Sequence, residues 1–258
     1  MNQLFVLFIA LCTSLNAPAQ ESSFEGGEWF KFRVSYSGWF KAGEATLTVT
    51  DERYKNKPVF HIKGKGVTTG MAKLFFNVED YYETYVDQKT ILPYLFVRKI
   101  DEGGHTKDLS IEFDQQRQKA HVFDKKHDTR TTYDTPAGVH DMISSFYFLR
   151  EQIDINNLEV GEDTSLDMFF DEENFKFKLR FLGREVITTP FGKVNTLVFR
   201  PVVQAGRIFK AKESLTLWVS ADKNKIPLRI KADLAVGSLK ADLEAYKGLK
   251  HPFYIIQD

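Results

Sequence analysis

Four residues able to hold a metal ion fall within one short stretch, His121, Asp124, His127 and Asp128. Imidazole and carboxylate groups bind a cation only where the fold gathers them around one point. These four flank a predicted hairpin that is polar and strongly solvated, so no metal site is expected there. The other histidines, His61, His105, His140 and His251, are scattered and form no His-Glu-x-x-His pattern. A nucleophile needs a base within hydrogen-bond reach. Ser144 lies one helical turn after His140, with Asp141 beside the histidine. Adjacent helix positions point in different directions, so His140 and Asp141 do not build a triad with Ser144. The sequence has no Gly-x-Ser-x-Gly elbow, no Gly-Lys-Ser/Thr phosphate loop and no dinucleotide glycine fingerprint. Carboxylates are plentiful, which leaves a glycosidase-type pair open, but the sequence singles out no two of them. Neither a cofactor nor a metal is expected.

Charge narrows the partners. The 258 residues carry 35 Lys and Arg against 35 Asp and Glu, for no formal net charge. A dedicated nucleic-acid binder would show a basic footprint, so that class is set aside. The cancellation is uneven along the chain. An acidic stretch from Asp141 to Glu173 precedes a basic one, densest between Lys193 and Lys231. Within the latter, Arg200, Arg207, Lys210 and Lys212 form a candidate surface for anionic glycans or lipid head groups. The plainer account is that they decorate exposed strand faces.

The N-terminus indicates export. Leu4–Leu15 is apolar, and Ala17-Pro18-Ala19 places small residues before Gln20. This is the layout of a signal peptide spanning residues 1–19 and cleaved after Ala19, although the charged n-region is lacking. The run is too short to span a bilayer, and no later stretch is long and apolar enough to do so. The only cysteine, Cys12, lies inside the segment and follows Leu11, not the small residue a lipid-attachment site requires. The mature chain is therefore expected to have no disulfide and no lipid anchor, and to be periplasmic or secreted.

The elements that must position any site are strands. Phe175, Phe177, Leu179 and Phe181 alternate with Lys176, Lys178 and Arg180. Phe30, Phe32, Val34 and Tyr36 repeat the pattern, as do Leu109, Ile111 and Phe113, and Leu215, Leu217 and Val219. Successive strand side chains point to opposite faces, so each run has one buried and one wetter side, as antiparallel sheets do. Turn residues punctuate the runs at Ser37-Gly38, Lys55-Asn56, Gly103-Gly104 and Ala221-Asp222-Lys223-Asn224. Two stretches break the period. Thr69–Phe76 predicts a short helical turn, and His140–Gln152 a helix with Met142, Phe146 and Leu149 on one side. The fold class is all-β with one or two short helices, a large antiparallel meander forming a barrel or half-barrel. Similar strand–turn–strand patterns end at Pro93 and Pro227. They suggest two alike halves, 28–135 and 153–250, joined by the helix near 140–152, within a single domain spanning 20–258. The 23 phenylalanines are then chiefly core.

From Glu28 to Leu243, ordered landmarks resemble domain of unknown function 3108, a family of exported bacterial proteins. They comprise Phe30 and Phe32, Ala42-Gly43-Glu44-Ala45, Asp141 through Leu149-Arg150, Thr189-Pro190-Phe191-Gly192, Leu217-Trp218-Val219-Ser220-Ala221-Asp222 and Ile226-Pro227-Leu228, with Gly237 and Leu243. The resemblance implies an exported β-rich protein without an established activity. It marks Asp141, Arg150, Trp218 and Asp222 as candidate binding residues, each also explicable as a cap, a brace or a turn. The pattern from Trp218-Val219 to Pro227-Leu228 is also similar to LolA-type lipoprotein carriers, whose half-barrels hold acyl chains. The resulting expectation is a non-enzymatic binding or carrier module for a lipid-like or glycan-linked ligand, or one that docks an envelope protein partner. The alternatives are an envelope glycan hydrolase with paired carboxylates and a purely structural envelope component.

Overall fold

The computed structural model describes residues 21–202 and 215–257. The segment expected to be a signal peptide, together with Arg207, Lys210 and Lys212, lies outside the described residues. Eight strands come first: β1 (Trp29–Tyr36), β2 (Phe40–Tyr54), β3 (Lys57–Thr68), β4 (Val78–Asp87), β5 (Pro93–Glu102), β6 (His105–Asp114), β7 (Lys119–Asp124) and β8 (Thr129–Asp134). A four-residue helix, α1 (Ala72–Phe75), interrupts the β3–β4 connection. Helix α2 (Met142–Gln152) follows β8. Six strands complete the chain: β9 (Asp163–Phe170), β10 (Glu173–Thr189), β11 (Gly192–Val202), β12 (Leu215–Ser220), β13 (Pro227–Asp233) and β14 (Ser238–Lys247). Both breaks in the two-residue period are thus helical.

All strands belong to one 14-stranded antiparallel sheet, ordered β8-β7-β6-β5-β4-β3-β2-β1-β14-β13-β12-β11-β10-β9. The last strand pairs with the first, Phe30 opposite Tyr246 and Val34 opposite Ala241. The sheet therefore curls round until its edge strands, β8 and β9, face each other without joining in a ladder. Side chains cross this seam instead. Tyr133 Oη donates to Glu172 Oε2 at 2.8 Å, and Asn174 Nδ2 to the Asp134 carbonyl at 2.7 Å. His140 runs parallel to Met168 in an isolated bridge, giving and taking one main-chain hydrogen bond. Side-chain and loop cover of this kind protects otherwise exposed sheet edges.

Tight turns and a bulge shape the wall. Lys55 and Asn56 both adopt positive φ between β2 and β3, the backbone of a two-residue hairpin turn matched to strand twist. In the 17-residue β10 the register slips between Phe181 and Gly183, where Gly183 has φ 137°. The extra residue bends the strand and increases its twist.

Helix α2 lies inside the curve. Its start is fixed by Asp141, whose carboxylate accepts from the main-chain N–H groups of Ile143 and Ser144, while Ser144 Oγ accepts from the Asp141 N–H. This reciprocal cap satisfies N–H groups that a helix start leaves without partners. Ile143 and Tyr147 join a core with Val49, Ile62, Val86 and Phe96 of the first strands. Leu149, followed by Ile153, joins a second core with Leu179, Leu197, Phe199 and Val219. The helix is apolar on two sides because it has a sheet wall on two sides.

Candidate functional site

A cavity of about 370 Å³ lies between α2 and strands β9–β13. The two-residue period builds it. Each strand contributes same-face positions: Met168 and Phe170, Phe177 and Leu179, Phe199 and Pro201, Leu215, Leu217 and Val219, and Ile230. Helix α2 supplies Met142, Ser145, Phe146, Leu149 and Arg150, with Ile153 just beyond it. Among the described residues, lining polarity is confined to Ser145, Arg150 and Lys225. A concave apolar space with a few convergent polar groups is what small-molecule sites look like.

The two cations sit at the end of the wall where β1 begins and β12 turns into β13. Arg150 is buried, and its guanidinium makes a two-pronged ion pair with Glu28, Nη1–Oε1 2.7 Å and Nη2–Oε2 2.8 Å. It also donates to the Asn224 carbonyl, and the rings of Phe24, Phe30, Phe146 and Tyr147 surround it within 5.2–5.7 Å. Burial works against its charge, but the Glu28 carboxylate beside it holds the guanidinium above its usual range. Lys225 Nζ donates to two neutral oxygens, Ser23 Oγ at 3.0 Å and the Arg150 carbonyl at 2.7 Å. Burial pushes its ammonium down from the usual lysine range. An ammonium has three donors, so one N–H remains for a ligand.

The structure brings Arg150 into this site and leaves the other candidates outside it. Asp141 is fully buried at the far end of the helix. Besides capping, it accepts from Thr84 Oγ1 at 2.6 Å, and burial raises its carboxyl. Trp218 points to the opposite face from Leu217 and Val219. Its indole N–H donates to Glu185 at 2.8 Å, and the Arg229 guanidinium lies 6.0 Å from its ring. Asp222 Oδ1 accepts from Ser220 Oγ and from the N–H groups of Asn224 and Lys225, closing the turn that delivers Lys225. Arg200 lies between Phe199 and Pro201 in sequence, on the strand face turned away from the cavity.

The chemistry-bearing clusters seen in the sequence are tied up elsewhere. Asp124 accepts from the N–H groups of Lys126 and His127 and holds the His127 ring at 2.6 Å, while His121 bonds Thr132 across the hairpin. Among the described residues, no group of three or more His, Cys, Asp or Glu is placed to hold a metal ion. His140 Nδ1 lies 3.3 Å from Ser144 Oγ, but both residues are sealed from solvent, and burial lowers His140 to about 4. One carboxylate pair does interact. Burial, then the neighbouring Glu102, raises Asp80 to about 6. Asp80 and Glu102 stand diagonally across the neighbouring strands β4 and β5, where Asp80 is opposite Ile100 and Glu102 opposite Val78.

Sequence reasoning missed Glu28 and did not separate Lys225 from its solvated basic neighbours. Glu28 immediately precedes an alternating strand, and a buried ion pair spanning 122 residues of sequence has no local signature.

Comparison with known proteins bears on the fold. A family model described as "Protein of unknown function (DUF3108)" matches residues 31–244. No curated protein matches. Among solved structures, a β-barrel-like protein of domain of unknown function 1849 from Brucella abortus is similar. It has 8% identity and TM-score 0.53, covering 86% of this chain and 98% of that one. A DUF1089 family protein from Pseudomonas aeruginosa has 9% identity and TM-score 0.37, covering 71% and 87%. A presumed exported protein with a YmcC-like fold from Bacteroides fragilis has 11% identity and TM-score 0.33, covering 87% and 97%. Of these three, the Brucella structure supports a shared β-barrel-like architecture. Among the described residues, no helix is long and apolar enough to cross a membrane.

Proposed function

Starting from a chain that belongs to DUF3108, a family of proteins of unknown function, we propose that it is an exported, non-enzymatic binding module for a lipid-like ligand with one acyl chain and an anionic end. The observation that carries this reading is the 370 Å³ cavity, whose only cations among the described residues, Arg150 and Lys225, sit together at one end. An apolar chain gains from leaving water, at about 0.8 kcal/mol per buried CH₂. The free N–H of Lys225 offers the anionic end a charge-assisted bond. Arg150 is already neutralised by Glu28, so its part is to hold Lys225 and the helix end in place. Export rests on the apolar run Leu4–Leu15 and the Ala17-Pro18-Ala19 site, and N-terminal sequencing of secreted protein tests it.

The decisive experiment titrates delipidated protein with a dansyl-labelled fatty acid and with the matching fatty alcohol. Leu217→Trp, which pushes a larger side chain into the apolar part of the cavity, is expected to weaken both by at least about tenfold, equivalent to 1.4 kcal/mol. Lys225→Met is expected to weaken the acid and spare the alcohol. Wild-type protein that binds neither probe, or a folded Leu217→Trp variant that binds as wild type does, overturns the proposal.

A further inference from the structure

Connections in an up-and-down sheet alternate between its two ends. The end away from Arg150 carries the β1–β2, β3–β4 and β13–β14 connections, which are consecutive around the wall. They touch one another. The Ser37 N–H donates to the Ser238 carbonyl at 2.7 Å, Tyr36 Oη to the Val236 carbonyl at 2.9 Å and the Thr69 N–H to the Ala42 carbonyl at 3.0 Å. Each tip holds large apolar side chains out in water: Trp39 on the first (78% exposed), Leu74 and Phe75 on the second (83% and 85%) and Val236 on the third (77%). Exposed apolar residues scattered singly need no explanation, but a contiguous group on one end of a molecule marks an interaction surface.

We propose that this rim is a docking surface for an anionic lipid bilayer. Two observations select a bilayer over a protein partner. The apolar groups stand on separate tips, each able to enter the headgroup region alone, and they include an indole and a phenyl ring, the groups favoured at membrane interfaces. The charged side chains of the tips 37–41, 69–77 and 234–237 are Lys41, which pairs with Glu44, and Lys73, which complements anionic headgroups. This surface lies at the end of the sheet away from Arg150 and Lys225.

Flotation of the mature protein with vesicles tests the proposal, using phosphatidylethanolamine with phosphatidylglycerol in one arm and phosphatidylcholine alone in the other. Binding is expected to the first, weakening with salt and much weaker to the second. The double variant Leu74→Ser/Phe75→Ser alters side chains that are already solvated, so its thermal midpoint should match wild type while vesicle binding falls at least about tenfold. Lys73→Gln should reduce the salt dependence. The cavity variant Leu217→Trp should bind vesicles normally, which separates this proposal from the ligand reading. Absence of vesicle binding, or binding indifferent to the tip substitutions, overturns the proposal. So does concentration-dependent dimerisation that the double variant abolishes without vesicle binding, since a second copy would then be the occupant.

Discussion

Replacing Arg150 by Met isolates the buried charge pair on which the helix end rests. The substitution retains most of the side chain's length and removes the guanidinium. Glu28, 1% exposed, then keeps a charge with no counter-ion, and removing one partner of such a pair costs about 3–5 kcal/mol. The Asn224 and Ser23 carbonyls also lose a donor, adding roughly 1 kcal/mol each. The single variant should therefore lose about 5–7 kcal/mol, comparable with the whole stability of many domains. Glu28→Leu/Arg150→Met removes both charges and keeps the volume apolar among Phe24, Phe30 and Tyr147. Only the two carbonyls remain unpartnered, so the double variant should lose about 2 kcal/mol. The assay is urea unfolding at pH 7 followed by circular dichroism, with a coupling energy taken from the four-member cycle. A single variant costing less than about 1.5 kcal/mol, or a double variant as unstable as the single, refutes the reasoning. Either result would mean that Glu28 finds compensation elsewhere.

Two further predictions concern pH and use the same unfolding assay. His140 is held at about 4 by burial, against an unfolded value of 6.5, so the unfolded chain binds the proton more tightly. The native state should lose about 3 kcal/mol as pH falls from 6.5 to 4, at 1.36 kcal/mol per unit, and His140→Gln should flatten that window; an unchanged slope in the variant shows that His140 is not the titrating group. Asp80 has the opposite sign. Its native value of about 6 lies above the unfolded 3.8, so native protein is penalised as pH rises from 3.8 to 6. Discounted for partial exposure, the penalty is about 1 kcal/mol, and Asp80→Asn should be more stable by that amount at pH 7 and indistinguishable at pH 3.5. Equal stability at pH 7 counts against a raised Asp80.

What the sequence reveals and conceals follows from the range of each interaction. Phe175, Phe177, Leu179 and Phe181 alternate because their neighbours along the strand must face water, so the first half of β10 is legible from eight residues alone, whereas Leu182-Gly183 reads as a turn and is instead a bulge through which the strand continues to Thr189. The start of α2 is legible for the same reason, since Asp141 and Ser144 cap within one turn. The landmarks Trp218 and Asp222 read as candidate ligand contacts; in the structure Trp218 bonds Glu185, 33 residues away, and Asp222 closes its own Ser220–Lys225 turn. Lys225 and Glu28 differ in kind. What removes them from water is a meeting of the N-terminal segment, the helix end and the β12–β13 turn, which lie far apart in the chain. Hydrophobic periodicity registers which face of an element is buried, and it carries no record of which distant charge shares that burial.

The cavity's existence follows from strand number more than from any one residue. About eight strands make a wall narrow enough for its own side chains to fill, and more than that leave a lumen. This wall has 14 strands in one sheet. A single 11-residue helix enters the curve and packs Ile143 and Tyr147 on one side and Leu149 on the other. A helix with its side chains is only about 10–12 Å across, too narrow to fill so wide a wall evenly. The residual space falls on the β9–β13 side, where Phe177, Phe199 and Leu217 line it. Closing it would take larger side chains at several same-face positions at once, because one substitution fills only a few tens of Å³ of the 370 Å³. The hollow is thus a property of the architecture, and the placement of Lys225 at the one cationic end among the described residues is what gives it a direction.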